Sequence, residues 1–389
     1  MSKTIISSIY CDTYEQTAVD KAVFKAINSL GVLDKIKPGS KILIKPNLLS
    51  DHRPDEAITT HPAIIKSIVQ IVKSKGAVPF IGDSPGNILK GIENVWEKTE
   101  MTSIAAEAGI RLVSFETSGV KEMPVKHPTV KSISVAKTVF DFDAIINVPK
   151  LKTHTFMGLT CGVKNFYGCV PGIRKIEYHK MAPSPYDFGL LLGELYGILK
   201  DKILFTVVDG IEGLEGNGPS TKGIKRKYNI VCAAADAVAL DTYITQCIEK
   251  NYKKNFFIKI LKNYGDTDYE KFEFKGDGVA NFNFEAVKLP ITKILNMIPV
   301  SLARFAGKYI GRFLWIKPFI EEDKCVKCGQ CLKSCPAKTI IKTDKGIIYI
   351  NEENCISCFC CHELCGYKAI EIKESIIAKL FIRLKKNNK

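Results

Sequence analysis

Two runs of cysteine, "CVKCGQCLKSC" from Cys325 to Cys335 and "CISCFCCHELC" from Cys355 to Cys365, share the spacing C-x2-C-x2-C-x3-C and begin thirty positions apart. Three thiolates on one tight loop suit three corners of an iron–sulfur cube, while the fourth cysteine reaches a second cube. On that rule Cys325, Cys328, Cys331 and Cys365 hold one 4Fe-4S cluster, and Cys355, Cys358, Cys361 and Cys335 hold another. A structural zinc site is the competing reading of paired CxxC motifs, but zinc needs four ligands per ion and does not select two matching runs. The second run departs from the pattern twice: Gly366 stands where a proline usually follows, and Cys360 adds a ninth thiol, read here as a buried bystander.

A second chemistry-bearing stretch is residues 148–172, "VPKLKTHTFMGLTCGVKNFYGCVPG". Lys150, Lys152 and His154 alternate and so share one face of an extended segment. Lys164 and Asn165 follow a glycine that can open a helix, whose N-terminus favours anions. The convergence points to an anion site, its lysines exposed loop charges whose removal leaves folding intact.

The elements that must position these residues lie in the first 287. Short apolar runs ending in polar or glycine residues ("KILIKPN", "AVPFIGDSPG", "AIINVPKLKTH", "FTVVDGIEGLEGNGP") alternate with helix-period segments. That alternation predicts an α/β, doubly wound, mostly parallel sheet with its ligands at the strand carboxyl ends. The rule gathers Lys45, Asn47, Asp83, Ser84, Lys150, Lys152, His154, Asp209 and Glu212 at one rim. Thr60 is placed as the cap of a helix with Pro62 in its first turn and Gly76 at its end. Several polar residues have plainer explanations: Lys45 as a strand-end lysine, Asp83 as a turn former, His61 as part of a helix cap, His179 on a solvated helix. Cys161 and Cys169 read as buried thiols, and at least one of Asp236 and Asp241 as a cap.

The domains expected are a 1–287 α/β body, a basic amphipathic connector over 288–320, a small α+β ferredoxin-like two-cluster domain over 321–374, and a basic tail over 375–389. The net charge of +15 is concentrated: residues 150–180 carry +5, 288–320 carry +6 and 375–389 carry +5, leaving the rest near neutral. Such clustering fits sites that meet anions, and no nucleic-acid-binding motif accompanies it. In "SLARFAGKYIGRFLW", Arg304, Lys308 and Arg312 recur every four residues with Phe305, Tyr309 and Phe313 one step behind. Beside its plain reading as a connector, this stretch, with the tail, is a candidate contact for a membrane surface or an acidic partner. No leader or membrane-spanning run is evident, so a cytoplasmic location is expected. GxxxxGK[ST], GxGxxG and HExxH are all absent.

"KPNLL" at 45–49, "GDSPG" at 82–86, "NVPKLKTHTFMGLTCGVKNFYGCVPG" at 147–172 and "VVDGIEGLEGNGP" at 207–219, followed by the cysteine module, resemble the iron–sulfur members of the domain of unknown function 362 family. The resemblance covers nearly the whole chain and implies this architecture and cluster binding, without naming a reaction. The expectation that follows is a ferredoxin-coupled oxidoreductase of anaerobic chemistry. Two 4Fe-4S clusters would reduce a small anionic substrate bound by Lys45, Asn47, Asp83, Lys150, Lys152, Lys164, Asn165 and Asp209, with His154 as proton donor. The alternative is a non-catalytic electron carrier or assembly protein whose body docks a redox partner.

Overall fold

A computed structural model of the 389-residue chain describes residues 3–86, 91–172, 174–249, 251–290, 292 and 315–380. The amphipathic pattern expected at 304–312 and the tail from 381 lie outside the described residues.

The body is built on one sheet whose strands run in the order β12-β1-β11-β10-β7-β2-β3-β4. Here β1 is Ile5–Tyr10, β2 Lys41–Pro46, β3 Val78–Asp83 and β4 Arg111–Ser114. A separate hairpin joins β5 (Val120–Pro124) to β6 (Ser132–Ala136). Next come β7 (Ala144–Val148), β8 (Lys150–His154) and β9 (Gly158–Thr160), then the long β10 (Ile203–Gly216), β11 (Gly223–Ala234) and β12 (Glu273–Gly276). The run β10-β7-β2-β3-β4 is parallel throughout, and only β11 opposes its neighbours in the main path.

Both faces are covered, as apolar runs require when neither side of a strand meets water. Ile42 and Ile44 point to the face packed by α1 (Gln16–Asn28) and α2 (Pro62–Ser74), while Leu43 points to the other. After α3 (Ile92–Lys98) and α4 (Met101–Ala108) on the first side, the chain forms the short α5 (Gly162–Asn165) and then α6 (Arg174–Met181). The second face is closed by α7 (Pro185–Leu199), α8 (Ala237–Ile248) and α9 (Phe256–Leu261).

Local chemistry departs from expectation in two places. Helix α2 is capped by His61, whose Nδ1 accepts the Ala63 N–H at 3.2 Å; Thr60 instead donates its hydroxyl to the Val148 carbonyl at 2.7 Å and holds the Asn47 amide. The N-terminus of α5 is no free anion site, because the Asp241 carboxylate already takes the amides of Gly162 and Val163 at 2.6 and 3.0 Å.

The C-terminal module contains β13 (Ile316–Ile320), α10 (Gln330–Lys333), β14 (Ile340–Lys342), β15 (Ile348–Ile350), α11 (Cys360–Leu364) and β16 (Ile370–Glu374). Because β13 pairs antiparallel with β16, the module begins upstream of 321 and takes the last residues assigned to the connector. Its two halves repeat in the backbone. Left-handed residues recur thirty positions apart as Lys327 and Ser357, Gly329 and Phe359, Lys338 and Lys368. The Thr339 amide points at the Cys335 sulfur (3.3 Å) as the Ala369 amide does at Cys365 (3.4 Å). Among the described residues no helix is long and apolar enough to cross a membrane.

The strand ends pack so closely that a Cβ on Gly168 would land on the Asp83 carboxylate and within 2.6 Å of the Lys45 ammonium. Gly168→Ala should therefore destabilise the body by about 3 kcal/mol or more. Gly278, at φ −70° with nothing within 4 Å of such a Cβ, should accept alanine at no cost. Urea denaturation of the two variants checks the contrast.

Candidate functional site

At the carboxyl edge of the sheet the predicted lysines are buried, not exposed. Lys45, Lys150 and Lys152 have at most 1% of their surface accessible, because β2 and β8 are interior strands and their side chains run beneath the rim. Lys45 donates to Asp83 at 2.7 Å, and the other Asp83 oxygen takes the Leu48 amide at 2.8 Å. Lys150 donates to Asp209 at 2.9 Å and to the Tyr14 hydroxyl at 2.7 Å; Tyr14 donates to the same carboxylate and stacks on His61. Lys152 donates to the Asn47 side-chain oxygen and the Ile58 carbonyl, both at 2.7 Å, and Asn47 in turn donates to Asn165. Burial pulls the Lys150 and Lys152 ammonium groups below their usual range; Asp209 opposes this at Lys150, and neighbouring Lys164 adds to it at Lys152.

His154 also lies behind the rim. Its Nδ1 accepts the amides of Phe156 (3.0 Å) and Met157 (3.3 Å), which puts the ring proton on Nε2. Nε2 sits 3.2 Å from Oε1 of Glu363 but is misaligned, so neither atom makes a hydrogen bond. Burial, with help from Lys164, holds the imidazole neutral. Expected as the proton donor to substrate, His154 instead backs a residue of the module, because β8 is covered at this point.

One open space beside the rim is a cavity of about 100 Å³ at the seam between body and module. Of the predicted residues, Asn47, Asp83, Lys164 and Asn165 line it, whereas Lys45, Lys150, Lys152 and Asp209 do not. The module supplies Cys360, Glu363 and Leu364 to its wall. Lys164 makes no hydrogen bond or ion pair among the described residues, and burial lowers its ammonium pKa. Thr160 Oγ1, His179 Nδ1 and Glu363 Oε1 are buried without hydrogen-bond partners, and Lys164 itself is half-buried. Burial raises the Glu363 carboxyl to about 7 against the pull of Lys164 and Lys152.

Sequence reasoning missed Thr160, His179, Lys175 and Glu363, Thr160 for want of any distinguishing pattern. His179, expected on a solvated helix, is buried, stacked on Phe188 and lowered by burial to about 3. Lys175 reaches the Ser84 carbonyl at 2.7 Å and the Pro85 carbonyl at 3.1 Å, contacts the Ser84 hydroxyl, and is lowered to about 8, chiefly by burial. Glu363 was hidden inside the cysteine motif. The only sequence signal for His179 and Lys175 was their place in the basic stretch 150–180.

The cysteines sort as the spacing rule expects. Cys325, Cys328, Cys331 and Cys365 line one small cavity of the module; Cys335, Cys355, Cys358 and Cys361 line the other. Among the described residues no three His, Cys, Asp or Glu groups converge closely enough to hold a single metal ion. Several contacts seat the module on the loop after β10: Thr221 donates to the Cys365 carbonyl at 3.2 Å, Lys222 pairs with Glu371, and His362 Nε2 lies 3.2 Å from the Asn217 carbonyl.

An α/β body carrying a ferredoxin-type module on the carboxyl edge of its sheet defines an iron–sulfur protein of the electron-transfer class. The chain belongs to the family described as Domain of unknown function (DUF362), whose model matches residues 42–246, and residues 317–366 match a 4Fe-4S dicluster domain. It is similar to the thylakoid-associated protein sll1697 of Synechocystis sp., at 31% identity over 63% of this chain and 74% of the relative. Over 14% of the chain and half of the relative it is 38% identical to the ketoisovalerate oxidoreductase subunit VorD of Pyrococcus horikoshii. A search of solved structures finds the lactate racemase apoprotein of Thermoanaerobacterium thermosaccharolyticum at TM-score 0.38 and 16% identity, covering 61% of this chain and 55% of that one.

The buried cations should behave unequally. Lys150→Met strands the Asp209 carboxylate and should cost about 3–5 kcal/mol. Lys164→Met removes a half-buried charge without a hydrogen-bond or ion-pair partner among the described residues and should leave stability unchanged or raised. Urea titration of both variants measures the difference.

Lys175 sets a pH dependence. Between pH 8 and 10.5 the unfolded chain still binds the proton that folded Lys175 has released, so stability rises with pH across that window. Lys150, Lys152 and Lys164 shift in the same direction, so Lys175→Met should flatten the rise without abolishing it.

Proposed function

We propose that this protein is a two-cluster iron–sulfur oxidoreductase that reduces a small anion held at the seam between body and module. Cys325, Cys328, Cys331 and Cys365 would hold one 4Fe-4S cluster, and Cys335, Cys355, Cys358 and Cys361 the second. The four-thiol lining of each small cavity supports that fit. When bound, such clusters supply low-potential electrons one at a time.

The observation that carries the reading is the seam cavity with its four unpartnered polar groups. Buried polar groups are nearly always satisfied, so a cavity that gathers an ammonium, a hydroxyl, an imidazole and a carboxyl without partners is shaped for a ligand. Lys164 supplies the charge for a carboxylate or phosphate, and Thr160 and His179 orient the rest of the molecule. Tyr167 and Leu364 narrow the space and limit water. Cys360 and Glu363, in the wall, belong to the same short helix as Cys361, so the ligand would sit against the second cluster's loop.

The first cluster's loop is open to solvent at Cys328, with Val326 and Tyr367 each more than half accessible beside it, although Cys328 and Tyr367 also border a cavity shared with Ser50, His52 and Asn94 of the body. That face suits delivery of electrons by a redox partner protein. The same exposed loop supports the second reading, a carrier that turns over no substrate of its own.

Anaerobic analysis should approach about eight iron and eight sulfide per chain. Cys335→Ser and Cys365→Ser should each perturb the cluster opposite their own run, and Cys360→Ser should spare both. Calorimetry against short carboxylates and inorganic phosphate should find a ligand whose affinity falls roughly ten- to a hundredfold in Lys164→Met. If none binds, or the variant binds equally well, the carrier reading replaces the enzyme.

A further inference from the structure

Ser84 stands where a strand end, the seam cavity and two charged side chains meet, and neither the cluster loops nor the anion contacts engage it. It follows the last residue of β3 in "GDSPG", at the carboxyl edge of the sheet, and lines the seam cavity with 3% of its surface exposed. Its backbone is fixed on both sides, because the Ser84 amide donates to the Gly168 carbonyl and to Asp83 Oδ1, each at 3.0 Å.

Three elements converge on its hydroxyl. Ser84 Oγ donates to Oε1 of Glu116, two residues beyond β4, and accepts from Nζ of Lys175, in the first turn of α6. The Gly172 amide also points at Oγ, from 3.4 Å. Lys175 places its remaining donors on the Ser84 and Pro85 carbonyls and makes no ion pair among the described residues. Gly172, at φ 54°, permits a close approach: a Cβ there would fall 2.9 Å from the second Glu116 oxygen.

A serine that only closed a turn would not need this arrangement. The carboxylate draws the hydroxyl proton away, and the ammonium stabilises the negative charge left on oxygen, so together they activate Oγ for attack. Although burial lowers Lys175 to about 8, it still carries its proton at neutral pH. Low exposure keeps both charges effective, since little water screens them.

We propose that Ser84 is a nucleophile that takes the acyl group from a small, activated, anionic acyl compound in the seam cavity, with Glu116 as base and Lys175 as electrostatic support. Oγ bonds to the acyl carbon while its proton passes to Glu116. The tetrahedral oxyanion then collapses, the bond from carbon to the leaving oxygen or sulfur breaks, and Glu116 returns the proton to the leaving group. Water next attacks the Ser84 ester and gives a proton to Glu116; the carboxylic acid departs and Oγ recovers that proton. The net change is hydrolysis, with no electron transferred. Carbon suits the site better than phosphorus, because phosphoryl transfer calls for several cations around three charged oxygens, and Lys175 has its donors already engaged. Lys164, in the same cavity, meets the anionic end of the substrate, and the Thr160 hydroxyl is available to the oxyanion. The inference rests on the seam cavity being the binding site proposed above, and not on electrons delivered by the clusters.

The test incubates the cluster-loaded chain with acetyl phosphate, anaerobically and without reductant. Phosphate release is followed, and acetylated peptides are mapped before and after alkaline hydroxylamine, which cleaves a serine ester and spares lysine amides. The parent should carry a hydroxylamine-labile acetyl group on Ser84. Phosphate release should fall roughly a hundredfold or more in Ser84→Ala, Lys175→Met and Glu116→Gln. Ser84→Cys should still take up the acetyl group, as a thioester, which separates loss of the nucleophile from loss of the fold. Cluster absorbance and the urea midpoint identify any variant that does not fold. Acetyl groups on lysines alone, or unchanged phosphate release in folded Ser84→Ala, overturns the proposal. If calorimetry finds anion binding that depends on Lys164 while Ser84 is never acetylated, this inference falls and the oxidoreductase reading stands; if no anion binds, both fall.

Discussion

An ammonium group cannot sit inside a protein unless something compensates its lost hydration, and that constraint organises the strand ends of this body. Lys45 and Lys150 are buried under the rim, each against a carboxylate from a neighbouring strand, Asp83 on β3 and Asp209 on β10. Each pair fixes the register of its two strands, because a slip would leave both charges uncompensated. The pairs also reach outward: Asp83 holds the Leu48 amide, and Asp209 holds Tyr14 and the His61 amide. The loops that shape the rim are thus fastened to buried charge, and Gly168 is glycine because one of these pairs leaves no room for a Cβ.

The seam cavity is the place where the same constraint is left unmet. Thr160, His179 and Glu363 each bury a polar atom without a hydrogen bond, which is costly, and half-buried Lys164 joins them from a fourth element. They are gathered because the module is held on the loop after β10 by Thr221, Lys222 and Asn217. Such dissatisfaction is what a binding site holds in reserve, since a ligand that pairs these groups recovers the energy their burial costs. On the proposed function, electron chemistry and ligand binding would share a wall, because Cys360 and Glu363 face the cavity from the helix that also carries Cys361.

The module presents different surfaces in different directions. One loop lines the seam cavity, the other is solvent-accessible at Cys328 beside a second cavity it shares with the body, and Trp315 and Ser375 pair at the module's two ends. A duplicated scaffold makes this division possible: the two halves repeat the same left-handed positions and the same N–H···S contacts, so their cysteine loops are alike while their surroundings differ.

The sequence alone was enough for the cysteine module and for the architecture, because both are written in local spacing. Four thiols at C-x2-C-x2-C-x3-C can serve only a compact cluster loop, and apolar runs alternating with helical periods produce a mostly parallel sheet whatever their partners. The roles of the lysines were not legible, because whether a lysine binds a ligand or a carboxylate depends on what lies opposite it. Lys150 meets Asp209, fifty-nine residues away, while Lys164 meets empty space. His179 and Glu363 gave no local sign, since burial belongs to the packed elements around a residue and not to its own segment. Only the tertiary structure could set Glu363 beside the basic stretch of the body, and Trp315 beside Ser375, because contacts between distant segments are fixed by packing and not by spacing along the chain.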